Sequence, residues 1–365
     1  MNDEVLYQVA LNQIPGIGPA AVKNLVSYSG SVKNIFASKK GLLKKIPGIG
    51  EKLAGDILQH TDLTRAERII ENCLKLNIQI THFTEKTFPQ KLRLIYDSPS
   101  LLFHQGELQP LERKSVAIVG TRKATSYGKE ITSKIIREMA VLNPSIISGL
   151  AYGIDIQAHR ESLINGLPTY AVLAGGIDKI YPQAHKKTAM DMINTGGIIS
   201  EHPPGTKSEA HLFPARNRII AGLADTTIVV EAADKGGALI TANIANSYNR
   251  LVFAVPGNLT STYSKGTNSL INQQKALIYT GIEDLKYHLN WEEAKSAGRD
   301  FSSVDVGPEE RAILKVLVEN HEGLAVDDIS WKTQIPIYQL ASFLLSLEFS
   351  GLIKMLPGKK YTVTF

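Results

Sequence analysis

Six short apolar runs, each closed by a loop of small or polar residues, narrow the fold of the middle of this chain more than any other feature. They are Val116-Ala-Ile-Val-Gly, Ser145-Ile-Ile-Ser, Thr169-Tyr-Ala-Val-Leu-Ala, Gly197-Ile-Ile-Ser, Thr226-Thr-Ile-Val-Val and Leu251-Val-Phe-Ala-Val. Short unbroken runs rich in β-branched residues suit strands buried on both faces. Helical stretches lie between them, and that alternation predicts a parallel sheet with helices on both sides. In such a sheet every strand ends on the same edge, where ligands bind. The loops brought to that edge are Gly120-Thr-Arg-Lys, Ser148-Gly-Leu-Ala-Tyr-Gly-Ile-Asp, Ala174-Gly-Gly-Ile-Asp-Lys-Ile-Tyr-Pro, Ser200-Glu-His-Pro-Pro-Gly, Glu231-Ala-Ala-Asp-Lys-Gly-Gly and Pro256-Gly-Asn.

The chemistry of those loops favours anions. Phe213 to Ala245 holds Arg216-Asn-Arg at the opening of a helix-like run, then a buried strand, then Asp234-Lys-Gly-Gly ahead of a small-residue helix. A Gly-rich turn leading into a helix N-terminus offers backbone N–H groups to a phosphate, and the arginines add charge-assisted donors. One or two such loops would suit a mononucleotide. Six of them, with Arg122, Lys123, Lys179, Arg216, Arg218, Lys235 and Lys265 nearby, suit a longer strand of phosphates. Tyr152, Tyr181, Phe213 and Tyr263 fall in the same loops, either as half-buried core residues or as faces on which bases stack.

Catalytic readings find little support. The chain has no G-x-x-x-x-G-K-[ST] and hence no P-loop. Asp155 and His159 lack a third residue spaced to complete a metal site, and read as a loop cap and an ordinary helical histidine. Glu201 and Glu231 stand at strand ends and are the carboxylates placed for acid–base work, though orienting arginines or loop N–H groups fits them better. Cys73 is the only cysteine, which excludes an intrachain disulfide and a Cys-rich zinc site. No apolar run reaches membrane-spanning length and no signal peptide is evident, so a cytoplasmic location without membrane contact is expected.

Outside the central part, one pattern occurs twice. Ile14-Pro-Gly-Ile-Gly and Ile46-Pro-Gly-Ile-Gly each precede an apolar helical run. The first matches a dinucleotide fingerprint formally, but no strand leads into it. Paired helix-hairpin-helix units fit better. Gly16, Gly18, Gly48 and Gly50 would let backbone approach a duplex phosphate, with Lys23 and Lys52 beside them; the contrary reading is that the turns only pack helices. Ile78 to Gly106 reads as a connector with two short strands. Residues 291–306 read as a linker. From Gly307 on, three helices and a hairpin resemble a winged helix, yet its third helix, from Ile337, has no Lys or Arg. Charge follows the same division: 19 Lys+Arg against 14 Asp+Glu over residues 111–290, but 8 against 11 from 291 to the end. A protein contact or a regulatory role fits that last domain better than DNA reading.

The expected architecture is therefore α/β. A helix-hairpin-helix (SAM-like) domain spans 1–75, an extended Rossmann-like parallel sheet 76–290, a linker 291–306 and a winged-helix domain 307–365.

The central loops resemble those of the bacterial DNA-processing protein A (DprA/Smf) family. The matching stretches are Val119-Gly-Thr-Arg122, Ser148 to Asp155, Phe213 to Ile220, Leu239 to Ala242, Val255-Pro-Gly257 and Gly266-Thr-Asn268. Asp234-Lys-Gly-Gly departs from the Ser-Gly that many relatives carry. The resemblance implies single-stranded DNA binding by Gly120, Thr121, Arg122, Lys123, Ser148, Gly149, Gly175, Lys179, Phe213, Arg216, Asn217, Arg218, Lys235, Gly236 and Lys265. It further implies a homodimer, protection of incoming DNA, and loading of RecA during recombination in natural transformation. Members are not known as enzymes, and no cofactor or metal is expected. The alternative is a nucleotide-processing hydrolase like the cytokinin-activating phosphoribohydrolases, whose Pro-Gly-Gly-x-Gly-Thr and trailing Glu are missing here.

Overall fold

The computed structural model describes residues 3–60, 62–291, 306–318, 320, 323–356 and 360–363. The chain forms two compact units, residues 1–291 and 292–365. The expected linker lies, apart from its two ends, outside the described residues.

The first unit begins with six helices: α1 (Asp3–Asn12), α2 (Pro19–Ser29), α3 (Val32–Ala37), α4 (Lys40–Leu43), α5 (Glu51–Gln59) and α6 (Thr64–Lys75). The two Pro-Gly-Ile-Gly turns join α1 to α2 and α4 to α5. Their repeated sequence has a division of labour. Ile14, Ile46 and Ile49 are buried in a core shared with Val22, Leu25, Leu43 and Ile57. Gly16 and Gly48 take φ of +83° and +84°, a region costly for residues with a Cβ. Gly18 and Gly50 are the N-caps of α2 and α5 with ordinary φ of −92° and −81°. The Asn24 side-chain amide donates to the Pro47 carbonyl at 3.0 Å and ties α2 to the second turn.

The sheet follows. In chain order its elements are β1 (Gln79–His82), α7 (Gln90–Arg93), β2 (Leu101–Gly106), β3 (Ser115–Val119), α8 (Ser126–Met139), β4 (Ser145–Ser148), α9 (Ile154–Ile164), β5 (Thr169–Val172), α10 (Lys186–Met192), β6 (Gly197–Ser200), α11 (Leu212–Leu223), β7 (Thr226–Val229), α12 (Gly237–Ser247), β8 (Leu251–Ala254), α13 (Lys265–Asn272), β9 (Leu277–Ile278) and α14 (Ile282–Leu289). Nine strands lie in the order β1-β2-β6-β5-β4-β3-β7-β8-β9. The seven from β6 to β9 are parallel, and β1 and β2 extend the sheet antiparallel from β6. The two strands expected in the connector are thus part of the main sheet.

Alternation along the strands assigns the faces. Val116 and Ile118 join Ile135, Ile136 and Phe253 under α8 and α9. Ala117 and Val119 join Ile219, Ile220 and Ala242 under α11 and α12. Toward the other edge, Ala171 and Ile198 pack with Ile70 and Cys73 of α6 and Val9 of α1, which fastens the helical segment to the sheet. Burying each such aliphatic side chain contributes about 1.5–3 kcal/mol. One boundary differs from the sequence reading: α11 starts at Leu212, so Arg216 lies in its second turn and does not open it.

The second unit holds α15 (Pro308–Val318), β10 (Leu324–Ala325), α16 (Val326–Thr333), α17 (Ile337–Phe349), β11 (Ile353–Leu356) and β12 (Lys360–Val363). Its antiparallel sheet has the order β10-β12-β11. Ile313, Leu317, Ile329, Leu340, Leu344 and Leu347 fill its core. This is the winged helix expected from the sequence.

Candidate nucleic-acid interface

The parallel strands fan out in two directions from β3. The chain goes to β4, β5 and β6 on one side and returns through α11 to β7 on the other. Loops at such a switch point diverge and leave a crevice beyond the strand ends. A cleft of about 680 Å³ occupies it. Gly120, Thr121 and Arg122 come from the loop after β3, and Ala232, Ala233, Lys235 and Gly236 from the loop after β7. Phe213, Arg216 and Asn217 come from α11, and Thr241 from α12. Gly236, Gly237, Ala238 and Thr241 all face the cleft, so α12 turns its N-terminus to it. The unpaired first-turn N–H groups and positive dipole end of α12 favour an anion there.

Arg216 holds this edge together. It is 6% exposed. Its Nη1 donates to the Gly149 carbonyl at 2.8 Å and to the Val172 carbonyl, and its Nε donates to Asn217 Oδ1 at 3.2 Å. The guanidinium thus joins the ends of β4 and β5. Asp155, also buried, accepts from the N–H groups of Gly149 at 3.1 Å and Ala151 at 3.4 Å. Burial pushes the Asp155 carboxyl up, against the pull of Arg216 and those N–H groups. Burial likewise lowers Arg216 to about 10, which leaves it charged at neutral pH. Gly149 must be glycine, because a Cβ would stand 2.5 Å from Arg216 Nη1.

Arg122, by contrast, is exposed. Its guanidinium lies 5.5 Å from the Phe213 ring centroid, within cation–π range. Phe213 meets Tyr181 edge-on at 5.9 Å, and Tyr181 is 55% exposed. Tyr152, half exposed, stands against His185 at 4.8 Å. A small side pocket joins Arg122, Gly149, Tyr152, Tyr181 and Phe213. Of the two readings left open for these aromatics, Tyr152 and Tyr181 have the free faces that stacking needs. Lys235 and Gly236 are exposed at the cleft mouth.

Other expected contacts lie elsewhere. Arg218 does not line the cleft. It donates to the Asp97 carbonyl at 2.7 Å and pairs with Glu201. Residues two apart on a helix point to different sides, so Arg216 and Arg218 cannot both face one cleft. Ser148 is buried beneath it, bonded to the Ile118 carbonyl at 2.6 Å. Gly175 packs where a Cβ would meet Ser208 Oγ at 2.7 Å. Lys123 and Lys179 are exposed on neighbouring loops, and Lys265 is exposed at the start of α13. Lys23 is half-buried, with Nζ 3.5 Å from the Ile95 carbonyl, and burial lowers its pKa first of all. Lys52 is exposed. A Cβ on Gly18, Gly48 or Gly50 would meet nothing within 4 Å, and one on Gly16 would meet Leu53 Cδ2 at 3.3 Å.

The carboxylates at the strand ends orient neighbours, as the sequence suggests. Glu231 accepts from Thr125 N at 3.0 Å and from Thr125 Oγ1 at 2.5 Å. Sequence reading overlooked Thr241 and Ser208. Thr241 was within reach, since it lies one helical turn past Gly237. Ser208 was not, because it arrives on the loop after β6 and only the folded chain brings it to the cleft. Among the described residues, no group of three or more His, Cys, Asp or Glu could hold a metal, and no helix is long and apolar enough to cross a membrane.

Comparison with known proteins agrees with the geometry. Residues 79–290 match the model of the family described as DNA recombination-mediator protein A. Residues 9–61 match a SAM-like helix-hairpin-helix tandem and 299–359 a DprA winged-helix domain. Protein Smf of Synechocystis sp. is 32% identical over 394 residues, covering 99% of each chain. The DNA processing protein DprA of Bacillus subtilis is 39% identical over 219 residues, 60% of this chain and 73% of that protein. The crystal structure of the Streptococcus pneumoniae DNA processing protein A superposes with a TM-score of 0.66 at 29% identity, over 80% of this chain and 99% of that one. A Helicobacter pylori DNA processing protein A, solved for its single-stranded DNA binding mode, gives 0.53 at 29% identity, over 59% and 98%. With its cleft at the switch point, its helix-hairpin-helix start and its winged-helix end, this chain belongs to the DNA recombination-mediator protein A (DprA/Smf) family.

Proposed function

We propose that this chain binds single-stranded DNA along the C-terminal edge of its parallel sheet, protects it, and hands it to RecA during recombination in natural transformation. One observation carries the reading. Exposed aromatic faces and exposed cations sit together at the mouth of a cleft whose floor is a helix N-terminus. An unpaired strand offers bases to stack and phosphates to neutralise at once; a duplex keeps its bases inside. The Helicobacter pylori relative, solved for single-strand binding, supports the same choice. Against a hydrolase stands the engagement of both candidate carboxylates, Glu231 by Thr125 and Glu201 by Arg218.

The test is binding of an oligothymidylate at several salt concentrations, compared with a duplex of the same length. Arg122→Ala and Lys235→Ala each remove one phosphate contact, so each lowers the single-strand salt slope by about 0.7. Tyr181→Ala weakens binding by about 1–3 kcal/mol at all salts. Unchanged slopes with unchanged affinity would place the strand elsewhere. Transfer to RecA is read as faster recombinase filament growth on the same oligonucleotide, and the homodimer as twice the chain mass in sedimentation.

The winged helix has a different part in this reading. Its α17 carries no Lys or Arg, so deleting residues 307–365 leaves single-strand affinity within about twofold, since a module without phosphate contacts adds little. Residues 3–291 keep their own cores in that truncation. Loss of binding by a folded truncated chain would reassign the domain to DNA.

The paired hairpins are read as a separate duplex contact. Gly18→Val with Gly50→Val places side chains in open space at ordinary φ, so the protein stays folded at a capping cost of about 1 kcal/mol. Duplex affinity is expected to drop while oligothymidylate binding stays. Equal duplex binding by the variant would leave the turns with a packing role alone.

A further inference from the structure

At the opposite end of the sheet from β9, strand β1 leaves one edge open. Phe83 N–H donates to the Ser100 carbonyl at 3.1 Å, which fixes residues 83 and 100 as a hydrogen-bonded pair. With the register Ile80↔Phe103 and Thr81↔Leu102, antiparallel alternation turns the main-chain groups of Ile80 and His82 away from β2. The His82 carbonyl is taken by Glu85 N–H at 3.0 Å. Among the described residues, the Ile80 N–H and carbonyl have no main-chain partner. A free donor and acceptor on a sheet edge form a template for another strand.

A groove of about 930 Å³ runs around this edge and takes its lining from both sides of it. On one side stand Ile70, Cys73 and Leu74 of α6, joined by the Ile80 side chain. On the other stand Glu107 and Glu112, flanking Leu108 and Leu111 of the core under α11 and α12; Glu85 lines the groove too, paired to His82 at 2.9 Å, and Lys86 and His104 join the lining. Burial pushes the Cys73 thiol up to about 12, so it serves as apolar lining. Successive side chains of a strand point to opposite faces. A strand paired to β1 would therefore meet an apolar wall and an acidic wall in turn.

We propose that this edge binds an extended segment of a partner protein as an added strand, with apolar residues alternating with Lys or Arg. Charge selects this occupant over a second copy of the chain, which would bring its own Glu85, Glu107 and Glu112 against those already there. The site lies apart from the DNA cleft: the two share no lining residue.

The test uses the full chain and a fluorescein-labelled eight-residue peptide of alternating Lys and Ile or Val, with a second peptide carrying Glu for Lys. The Lys peptide is expected to bind about tenfold more tightly, from several exposed charge pairs, and to slow amide exchange at Ile80. Leu74 is 73% exposed, so Leu74→Lys leaves the fold intact and weakens binding by charging the apolar wall. Glu107→Lys weakens it by about fivefold. Equal affinity for both peptides, no binding, or binding that leaves Ile80 exchange unchanged overturns the proposal. So does a concentration-dependent dimer abolished by Leu74→Lys, which would assign the edge to self-pairing.

Discussion

Replacing Arg216 with alanine is expected to lower the stability of residues 1–291 by about 3–5 kcal/mol, since the Gly149 and Val172 carbonyls and the Asn217 amide oxygen each lose a buried charged donor, at about 1–3 kcal/mol apiece. Asp155 remains buried with its two N–H donors but without the cation that favours its charged form. Single-strand binding should fall with stability, because the loop from Gly149 to Tyr152 is no longer tied to α11. Arg122→Ala separates the two effects. Arg122 is exposed, so its loss weakens DNA binding while stability stays within about 0.5 kcal/mol. Urea unfolding followed by circular dichroism, run beside the oligothymidylate titration, reads both. Adding Asp155→Asn to Arg216→Ala removes the stranded charge and should return about 1–3 kcal/mol. An Arg216→Ala protein as stable as the parent would rule out the anchoring role.

How the sequence conveyed this site depends on which property decided each residue. The six strands were legible because burial on both faces demands continuous apolar runs, and all six appear within a residue or two of their expected limits. The two Ile-Pro-Gly-Ile-Gly turns were legible because glycine at positive φ between helices has few alternatives. What a charged side chain does with its charge was less legible. Arg216 and Arg218 look alike in sequence, yet one is buried as a brace and the other is paired to Glu201. The sequence reading put both on the DNA strand, although residues two apart on a helix do not share a face. It could not indicate which of them would meet the ends of β4 and β5, since that depends on how α11 crosses the sheet. Lys23 shows the same limit, its ammonium lying beside the Ile95 carbonyl that α2 happens to pass. The antiparallel junction of β2 with β6 rests on pairing partners distant in sequence, which periodicity does not encode.

His159 supplies the second large effect, through pH. It is fully buried on α9, and its Nδ1 lies 2.7 Å from Thr169 Oγ1. That hydroxyl donates its proton to the Ile146 carbonyl at 3.0 Å, so it accepts from His159, and Nδ1 carries the hydrogen. Nε2 is left as a bare acceptor with no partner among the described residues. A second proton there would be a buried charge without an acceptor, and burial, followed by the nearby His185 and Arg216, lowers the pKa to about 3. The folded pKa lies below the unfolded value of about 6.5. Stability from this group is therefore complete above pH 6.5 and is lost as pH falls from there toward 3. The slope approaches one proton, about 1.4 kcal/mol per pH unit, which amounts to about 2.7 kcal/mol by pH 4.5. His159→Leu keeps the Thr169 bond to Ile146 and removes the titrating group. The variant is expected to be less stable than the parent at pH 7, and its stability should fall less steeply on acidification, by about one proton. Unfolding free energies measured from pH 8 to 4.5 for both proteins cancel the other titrating groups in the difference. Parallel curves would show that His159 accepts its second proton inside the fold, and that α9 gives way to make room for it.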